Sequence, residues 1–235
     1  MTDYIRVCGD RLLKGDEPFF SIGMYNAPDQ CLEQLKAVGF NTLYGGSDKA
    51  WDEYGFYQVH CINNAVYVRG GPKEDPERFA RSLEFVKGYA NSPQVLSWYL
   101  MDEPEFYGVT VRDMEETAKA VKEIDPERPV MVMEAFPIPD PEDSRNFSKP
   151  VDIVGVDPYP ILRGQPLSVV AGDIEAARSQ SKGTKPIITI LQLWQATGTR
   201  LPEWYEIRCM TYLALINRTA GIGYYARNFF DRSEE

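Results

Sequence analysis

The chain contains few histidines and cysteines, the residues on which Ser-His-Asp catalytic triads, zinc sites and disulfide frameworks depend. One histidine, His60, occurs among 235 residues, which argues against a Ser-His-Asp triad or a multi-histidine metal site. The four cysteines (Cys8, Cys31, Cys61 and Cys209) are widely spaced and form no CxxC pair, so neither a zinc cage nor a dense disulfide framework is predicted. Carboxylates must therefore carry most of any acid-base chemistry, and no cofactor is expected.

Basic clusters and long apolar runs are also lacking. The formal net charge is −10, with 25 Lys and Arg against 35 Asp and Glu, so a nucleic-acid partner is not expected. No apolar run approaches the roughly 20 residues that cross a bilayer, and the polar N-terminus MTDYIRVCGD lacks the pattern of a secretory signal. We expect a soluble, acidic protein with no membrane partner, and the sequence leaves its localisation open.

Apolar segments and amphipathic segments alternate along the chain. The predicted strands are FFSIGMYN, NTLYGG, NAVYV, VLSWYLM, VMVMEAF, VDIVGVDPY, KPIITILQLW and GIGYYARN. Helices are predicted between them, for example PDQCLEQLKAVGF, which ends at Gly39, and DPERFARSLEFVKGYANSPQ, which begins at Asp75 and Pro76. About eight apolar strands separated by helices are typical of a parallel sheet covered on both faces, and the unbroken alternation favours a single (β/α)8 barrel, an α/β fold.

The ends of the chain modify this picture. We predict one compact domain over residues 1–235, with a hairpin at about residues 5–20 that turns near Gly15 and caps one end of the fold. The segment PIPDPEDSRNFSKP, between strands five and six, is predicted to be a loop. Only FFDRSEE follows strand eight, so the last helix is expected to be short or missing. A second copy of the chain or a further C-terminal segment would then cover that flank.

Function in such a barrel lies where the strands run into the following helices. Those positions carry aromatic, acidic and amide side chains, which suit a carbohydrate because aromatic rings stack on sugar C–H faces and carboxylates accept from hydroxyls. We therefore expect an oligosaccharide or polysaccharide as the partner. The candidate sugar contacts are Tyr25, Asn26, Tyr44, Asp157, Tyr159, Gln192, Trp194 and Tyr225. Other polar or aromatic residues at these ends are Arg69, Phe136, Gln195, Arg227 and Asn228.

Glu103 is the strongest catalytic candidate. It lies between an apolar strand and Pro104, and a carboxylate held there is costly unless it is used. A glycosidase needs a carboxylic acid that stays protonated near neutral pH to protonate the leaving oxygen. The neighbouring Asp102 and an apolar surround would both raise the pKa of Glu103 in the required direction.

Three other conspicuous side chains are interpreted as structural. His60 is expected to be a packed residue rather than a ligand. Trp98 and Tyr99 are consecutive in strand four, so one should face the barrel interior and the other the helices.

Three stretches of the sequence resemble the (β/α)8 glycoside hydrolases of the cellulase and β-galactosidase clan. They are KGDEPFFSIGMYN with LEQLKAVGFNTL, VLSWYLMDEP, and VDIVGVDPYP. In that clan an Asn-Glu-Pro after strand four carries the acid/base. The resemblance implies this role for Glu103, with Asp102 where the clan usually has Asn. The clan's nucleophile is a Glu at the end of strand seven, where this sequence has Gln192 in IITILQLWQ. An amide cannot form the glycosyl-enzyme intermediate, which argues against the clan's double displacement.

Several alternatives remain open at this stage. The hexosaminidases use the substrate's own 2-acetamido group as nucleophile, and Asp102 with Glu103 resembles their adjacent Asp-Glu pair. Glu134, after strand five, could instead be the second carboxylate, at about 5 Å from Glu103 as a nucleophile or roughly 6.5–9.5 Å as a base for water. The competing class is a barrel that binds sugar without cutting it. A metal-dependent barrel using Asp102, Glu134 and Asp157 is disfavoured by the lack of histidines.

Overall fold

An antiparallel sheet of three short strands precedes the barrel in the computed structural model, which describes residues 4–62 and 75–226. Its strands are β1 (Ile5–Cys8), β2 (Arg11–Lys14) and β3 (Glu17–Phe19). Strands β2 and β3 are the predicted hairpin, which turns at Gly15 with φ +59°, a left-handed conformation that glycine adopts without a steric penalty. Ile5 and Leu12 pack with Leu96 and Ile188 of the barrel interior, so this sheet covers the end of the barrel at which the strands begin.

Eight parallel strands follow and close into a barrel, because the last of them pairs with the first. They are β4 (Ser21–Tyr25), β5 (Thr42–Tyr44), β6 (Tyr57–Cys61), β7 (Val95–Asp102), β8 (Val130–Glu134), β9 (Ile153–Val156), β10 (Ile187–Gln192) and β11 (Gly221–Tyr225). The helices between them are α1 (Leu32–Ala37), α2 (Asp48–Asp52), α3 (Pro76–Tyr89), α4 (Val111–Ile124), α5 (Pro160–Arg163), α6 (Val169–Gln180) and α7 (Trp204–Ile216). The predicted (β/α)8 barrel is confirmed.

Each barrel strand is buried on both faces. In β8, Met131 and Met133 belong to the cluster inside the barrel, whereas Val130 and Val132 belong to the cluster between the barrel and the helices. Successive strand residues point to opposite faces, so the position of a side chain in this alternation decides whether it faces the interior or a helix. Glu134, two residues after Val132, continues the outward-facing row.

Strand β7 has the expected alternation and then an irregularity. Tyr99 faces the interior, while Trp98 faces the helices, where its indole nitrogen donates a hydrogen bond to Asp125 Oδ2 at 3.0 Å. The pairing register with β8 shifts between Tyr99 and Met101. Met101 packs toward the helices, and Asp102 then turns back to the open end of the barrel. A shift of this kind re-aims the side chains that follow it.

The third barrel strand differs from the prediction. It is Tyr57–Cys61, whereas NAVYV lies outside the described residues. His60 is buried in β6 against Phe85, Tyr89 and Trp98, which is the packing role expected of it. Burial lowers the pKa of His60 to about 4.

The segment between β8 and β9 and the C-terminal end of the chain were the other parts of the fold covered by the predictions. The segment between β8 and β9 contains neither helix nor strand, as predicted, while the four-residue helix α5 was not predicted. The predicted short or missing last helix lies beyond residue 226, outside the described part of the chain. Within residues 4–62 and 75–226, no helix is both long and apolar enough to cross a membrane.

Candidate active site

One cavity of about 480 Å³ opens where the barrel strands end. Its lining comes from the ends of five strands and from the segments that follow them. These residues are Tyr25, Asp102, Glu103, Phe106, Tyr107, Asp157, Tyr159, Leu162, Arg163, Trp194 and Tyr225. The structure therefore brings together seven of the predicted site residues: Tyr25, Asp102, Glu103, Asp157, Tyr159, Trp194 and Tyr225.

The backbone of Glu103 explains why two consecutive carboxylates face the same cavity. Glu103 has φ 45° and ψ 59°, a left-handed conformation that costs a non-glycine residue about 1–3 kcal/mol. Its amide donates to Met133 O at 2.9 Å, and Pro104 begins a short 3-10 turn (Pro104–Phe106). The left-handed residue ends the strand alternation, so Asp102 and Glu103 both line the cavity.

The surroundings of Glu103 favour its neutral form. Burial raises the pKa of Glu103 to about 7, and the charges of Asp102 and Glu105 act in the same direction. The interaction with Asp157 and the positive charge of Arg163 lower the pKa of Glu103 and so oppose this rise. A carboxyl group that titrates near pH 7 is suited to general acid catalysis, because both of its protonation states are accessible.

Asp102 is held from inside the barrel. The Tyr99 hydroxyl donates a short hydrogen bond to Asp102 Oδ1. Burial, followed by the charge of Asp102, raises the pKa of Tyr25 well above its ordinary value. The Tyr99 hydroxyl therefore orients the carboxylate of Asp102.

Asp157 follows β9 directly and is 4% exposed. It lines the same cavity as Glu103, and its Oδ1 has no hydrogen-bond partner among the described residues. Burial, then the charges of Glu103 and Asp102, raise the pKa of Asp157 well above its usual range. The surroundings of Asp157 therefore favour its neutral form.

Four aromatic residues form one wall of the cavity. Trp194 lies edge-on to Tyr159 and to Tyr225, with ring centroids 5.8 Å and 5.6 Å apart. Tyr25 lies edge-on to Tyr225 at 5.4 Å. The Trp194 indole nitrogen is buried without a hydrogen-bond partner in the described part of the chain. Because these rings pack against one another, they form one continuous apolar surface on this side of the cavity.

Arg163, at the end of α5, also lines the cavity and was missed by the sequence analysis. Its Nη1 donates to Ala135 O at 3.3 Å, and its Cζ lies 4.4 Å from the ring centroid of Phe136. Phe106, Tyr107 and Leu162 were missed as well. These four residues lie in the short segments that follow β7 and β9, and their only signal in the sequence was proximity to a predicted strand end.

Glu134 does not line the cavity. It is 1% exposed and accepts a hydrogen bond at 2.5 Å from Gln180 Nε2 of α6, on the helix side of the barrel wall. Burial and the charge of Glu105 raise the pKa of Glu134 to about 8. The structure thus places this carboxyl behind the wall rather than beside Glu103.

Three other predicted contacts also lie outside the cavity lining. Tyr44 is stacked on Tyr25 inside the barrel, with centroids 4.4 Å apart, and a Cβ at Gly23 would lie 2.5 Å from its ring. Asn26 is exposed in a left-handed turn after β4. Gln192 lies at the same end of the barrel as Glu103 but is 0% exposed.

Both ends of the Gln192 amide are occupied by the backbone. Its Oε1 accepts from Leu162 N at 3.1 Å, and its Nε2 donates to Trp194 O at 3.0 Å. Gln192 thereby fixes α5 and the segment after β10, both of which line the cavity. Residues 4–62 and 75–226 contain no group of three His, Cys, Asp or Glu arranged to hold a metal ion.

No protein-family model matches the sequence, and no curated protein matches it. Solved structures do match the fold. They include a GH2 beta-galacturonidase from Eisenbergiella tayi bound to galacturonate, with a TM-score of 0.71 and 16% identity over 94% of this chain and 46% of that one. The chain shares the (β/α)8 barrel fold of this structure. A Lactobacillus rhamnosus beta-glucuronidase has a TM-score of 0.67 at 17% identity, over 94% of this chain and 45% of its own.

A beta-D-glucuronidase from Dictyoglomus thermophilum is similar to the same extent, with a TM-score of 0.67 and 19% identity over 94% of this chain and 46% of that one. This chain spans less than half the length of each of these three proteins. At such identities the similarity establishes the fold alone.

Proposed function

We propose that this chain hydrolyses a glycosidic bond at the cavity, with Glu103 as general acid/base. The carrying observation is that Asp102 and Glu103 face one aromatic-lined cavity, in which burial raises the pKa of Glu103 to about 7. The protein is then an enzyme whose substrate is an oligosaccharide or polysaccharide. Tyr25, Tyr159, Trp194 and Tyr225 supply the apolar surface for the sugar.

The mechanism that fits these residues is substrate-assisted retention. Glu103 protonates the leaving oxygen while the substrate's 2-acetamido oxygen attacks the anomeric carbon, with Asp102 orienting the acetamido N–H. Water then opens the cyclic intermediate and returns a proton to Glu103. Neither alternative nucleophile suits this geometry, because Glu134 binds Gln180 and Gln192 is an amide bound by the backbone.

Arg163 favours a second substrate candidate, an acidic sugar. It lines the same cavity as Glu103, and a guanidinium group can bind a sugar carboxylate through two parallel hydrogen bonds. Similar structures include a galacturonidase bound to galacturonate. A barrel that binds sugar without cutting it is the third candidate, favoured by the amide at position 192.

The deciding experiment is hydrolysis of aryl glycosides by the wild type, Glu103→Gln and the matched control Glu142→Gln. The panel contains plain, 2-acetamido and uronic-acid sugars, with and without a chelator. We expect 2-acetamido sugars to be cleaved without metal, Glu103→Gln to lower kcat/KM about 10²–10⁴-fold, and the melting temperature to stay nearly unchanged. The control changes an exposed glutamate paired with Lys182 and should keep full activity.

Each of the other outcomes would support a different function for the cavity or for Glu103. Cleavage of uronides alone would support Arg163 as the specificity residue and would contradict the acetamido mechanism. Sugar binding without turnover of any panel member would identify a non-catalytic barrel. A large loss of stability in Glu103→Gln would make Glu103 a structural residue.

A further inference from the structure

Helix α7 exposes an apolar face to solvent. Five of the nine large apolar side chains that are exposed within residues 4–62 and 75–226 lie on this one helix. They are Trp204 (71% exposed), Tyr205 (56%), Tyr212 (51%), Leu215 (43%) and Ile216 (73%). The other side of α7 is apolar as well, with Met210 and Ala214 buried against the barrel. A helix that is apolar on all sides is normally buried, so α7 is expected to be covered by another surface.

The charge of this face makes a second copy of the chain a fitting partner. Each copy carries a formal net charge of −10, so two copies repel each other over most of their surfaces. Among the exposed residues of α7, Arg208 is the only charged one. The face therefore adds no carboxylate to that repulsion, and two copies meet there at the least electrostatic cost.

The order of the side chains along α7 is complementary to itself when two such helices run antiparallel. Trp204 and Ile216 are equally far along the helix from Met210, and so are Tyr205 and Leu215. An antiparallel pair centred at Met210 therefore places each aromatic ring of one copy against an aliphatic side chain of the other. Every large apolar side chain at the two ends of the face is covered in this way.

The charge on the face also has a partner in this arrangement. Arg208 and Tyr212 are equally far from Met210, and within one copy the Arg208 Cζ lies 5.7 Å from the Tyr212 ring centroid. In the antiparallel pair, Arg208 of each copy faces Tyr212 of the other. A cation is attracted to the negative face of a tyrosine ring, so the centre of the contact is complementary in charge as well as in shape.

We propose that two copies of this chain associate through their α7 helices, antiparallel and related by a two-fold axis. The contact is isologous, because each copy contributes the same surface. A single pair of helices buries less than the roughly 800 Å² per partner of a standard interface, so the dimer is reversible and its population depends on concentration. Association is measured without substrate, and it stands or falls independently of the hydrolysis proposed above.

Sedimentation velocity over a micromolar concentration series tests the association. We expect the wild type to pass from a monomer of 26.7 kDa to a dimer as the concentration rises. Ile216→Glu should raise the dissociation constant at least about tenfold, because it places a carboxylate against Trp204 of the other copy. Trp204→Glu should have the same effect, since it changes the same contact from the other side.

Val38→Glu is the matched control. Val38 follows α1 directly and is 72% exposed, almost the same as Ile216, so its substitution should leave the dissociation constant unchanged. A wild type that stays monomeric over the whole series would overturn the proposal. So would a dimer that is weakened neither by Ile216→Glu nor by Trp204→Glu.

Cross-linking at Cys209 tests the antiparallel arrangement. Cys209 is exposed and directly precedes Met210, so the two copies of this cysteine lie close together beside the two-fold axis. In protein carrying Cys8→Ser and Cys61→Ser, which removes the other exposed cysteines, a short bis-maleimide should yield a covalent dimer. Adding Cys209→Ser or Ile216→Glu should abolish this product. A dimer in sedimentation that gives no cross-link would overturn the antiparallel pair centred at Met210.

Discussion

At the scale of single residues, the conformation of Glu103 decides the chemistry of the site. The sequence shows Asp102 and Glu103 side by side, and strand alternation would send them to opposite faces. The left-handed backbone at Glu103 overrides that alternation. The energetic cost of this left-handed conformation is offset by the hydrogen bond from the Glu103 amide to Met133 O and by the turn that Pro104 begins.

Asp102→Asn tests the electrostatic part of this arrangement. The charge of Asp102 raises the pKa of Glu103, so its removal should lower that pKa and move the alkaline limb of the kcat/KM profile to lower pH. The Asn oxygen can still accept from Tyr99, which keeps the hydrogen bond. The profile is compared with that of Asp16→Asn, which changes an exposed aspartate paired with Arg6. A limb that stays in place would show that Asp102 does not tune Glu103.

Glu134 shows what the sequence could not predict about the site. VMVMEAF is apolar at every position before Glu134, since a parallel barrel strand is buried on both faces. The sequence therefore lacks the alternation of apolar and polar residues that would show which strand residues face the barrel interior. A glutamate that faces the helices cannot be distinguished from one that faces the interior. The predicted residues that do line the cavity include Tyr159 and Trp194, which follow their strands by two or more residues.

At the scale of elements, most strands and helices could be predicted because their signals are local. The helix at Asp75 begins as expected, with the Asp75 side chain accepting from Arg78 N. Strand β6 was missed because it buries two polar side chains, Gln58 and His60. Gln58 donates to Ser47 O at 2.6 Å, a tertiary contact that pattern reasoning cannot anticipate.

Gln192→Glu tests whether Gln192, at the end of β10, is a structural residue that binds the backbone or occupies the position of a lost nucleophile. The new carboxylate would face Trp194 O without a donor, so we expect a loss of about 1–3 kcal/mol in the free energy of unfolding. The loss should grow with rising pH, because burial raises the folded-state pKa above the unfolded value. Urea unfolding at pH 5 and pH 8 measures it.

The exposed Gln165→Glu, beside α5, is the matched control and should be neutral. No hydrolysis of plain glycosides should appear in Gln192→Glu. A stable variant that gained such hydrolysis would show that position 192 can reach the sugar.

At the scale of the whole molecule, a buried histidine and a buried glutamate make the free energy of unfolding fall at acidic and at alkaline pH, respectively. His60 has its pKa lowered to about 4 by burial, so the stability from its neutral form is present above the unfolded value near 6.5 and is lost as pH falls toward 4. Glu134 has its pKa raised to about 8. Its contribution is present below the unfolded value and is lost as pH rises through 8. The barrel should therefore be most stable at mildly acidic pH.

Glu134→Gln isolates the alkaline limit. The amide oxygen can still accept from Gln180, but the side chain stays neutral at every pH, so the fall in stability between pH 5 and pH 8 should shrink by roughly 3 kcal/mol. Denaturant unfolding across that range measures the slope, with the exposed Glu142→Gln as the matched control. Because Glu134 lies behind the barrel wall, kcat/KM should not change. A loss of hydrolysis with an unchanged slope would instead restore Glu134 as the second carboxylate of the reaction, since only contact with the substrate would make its charge matter to the rate.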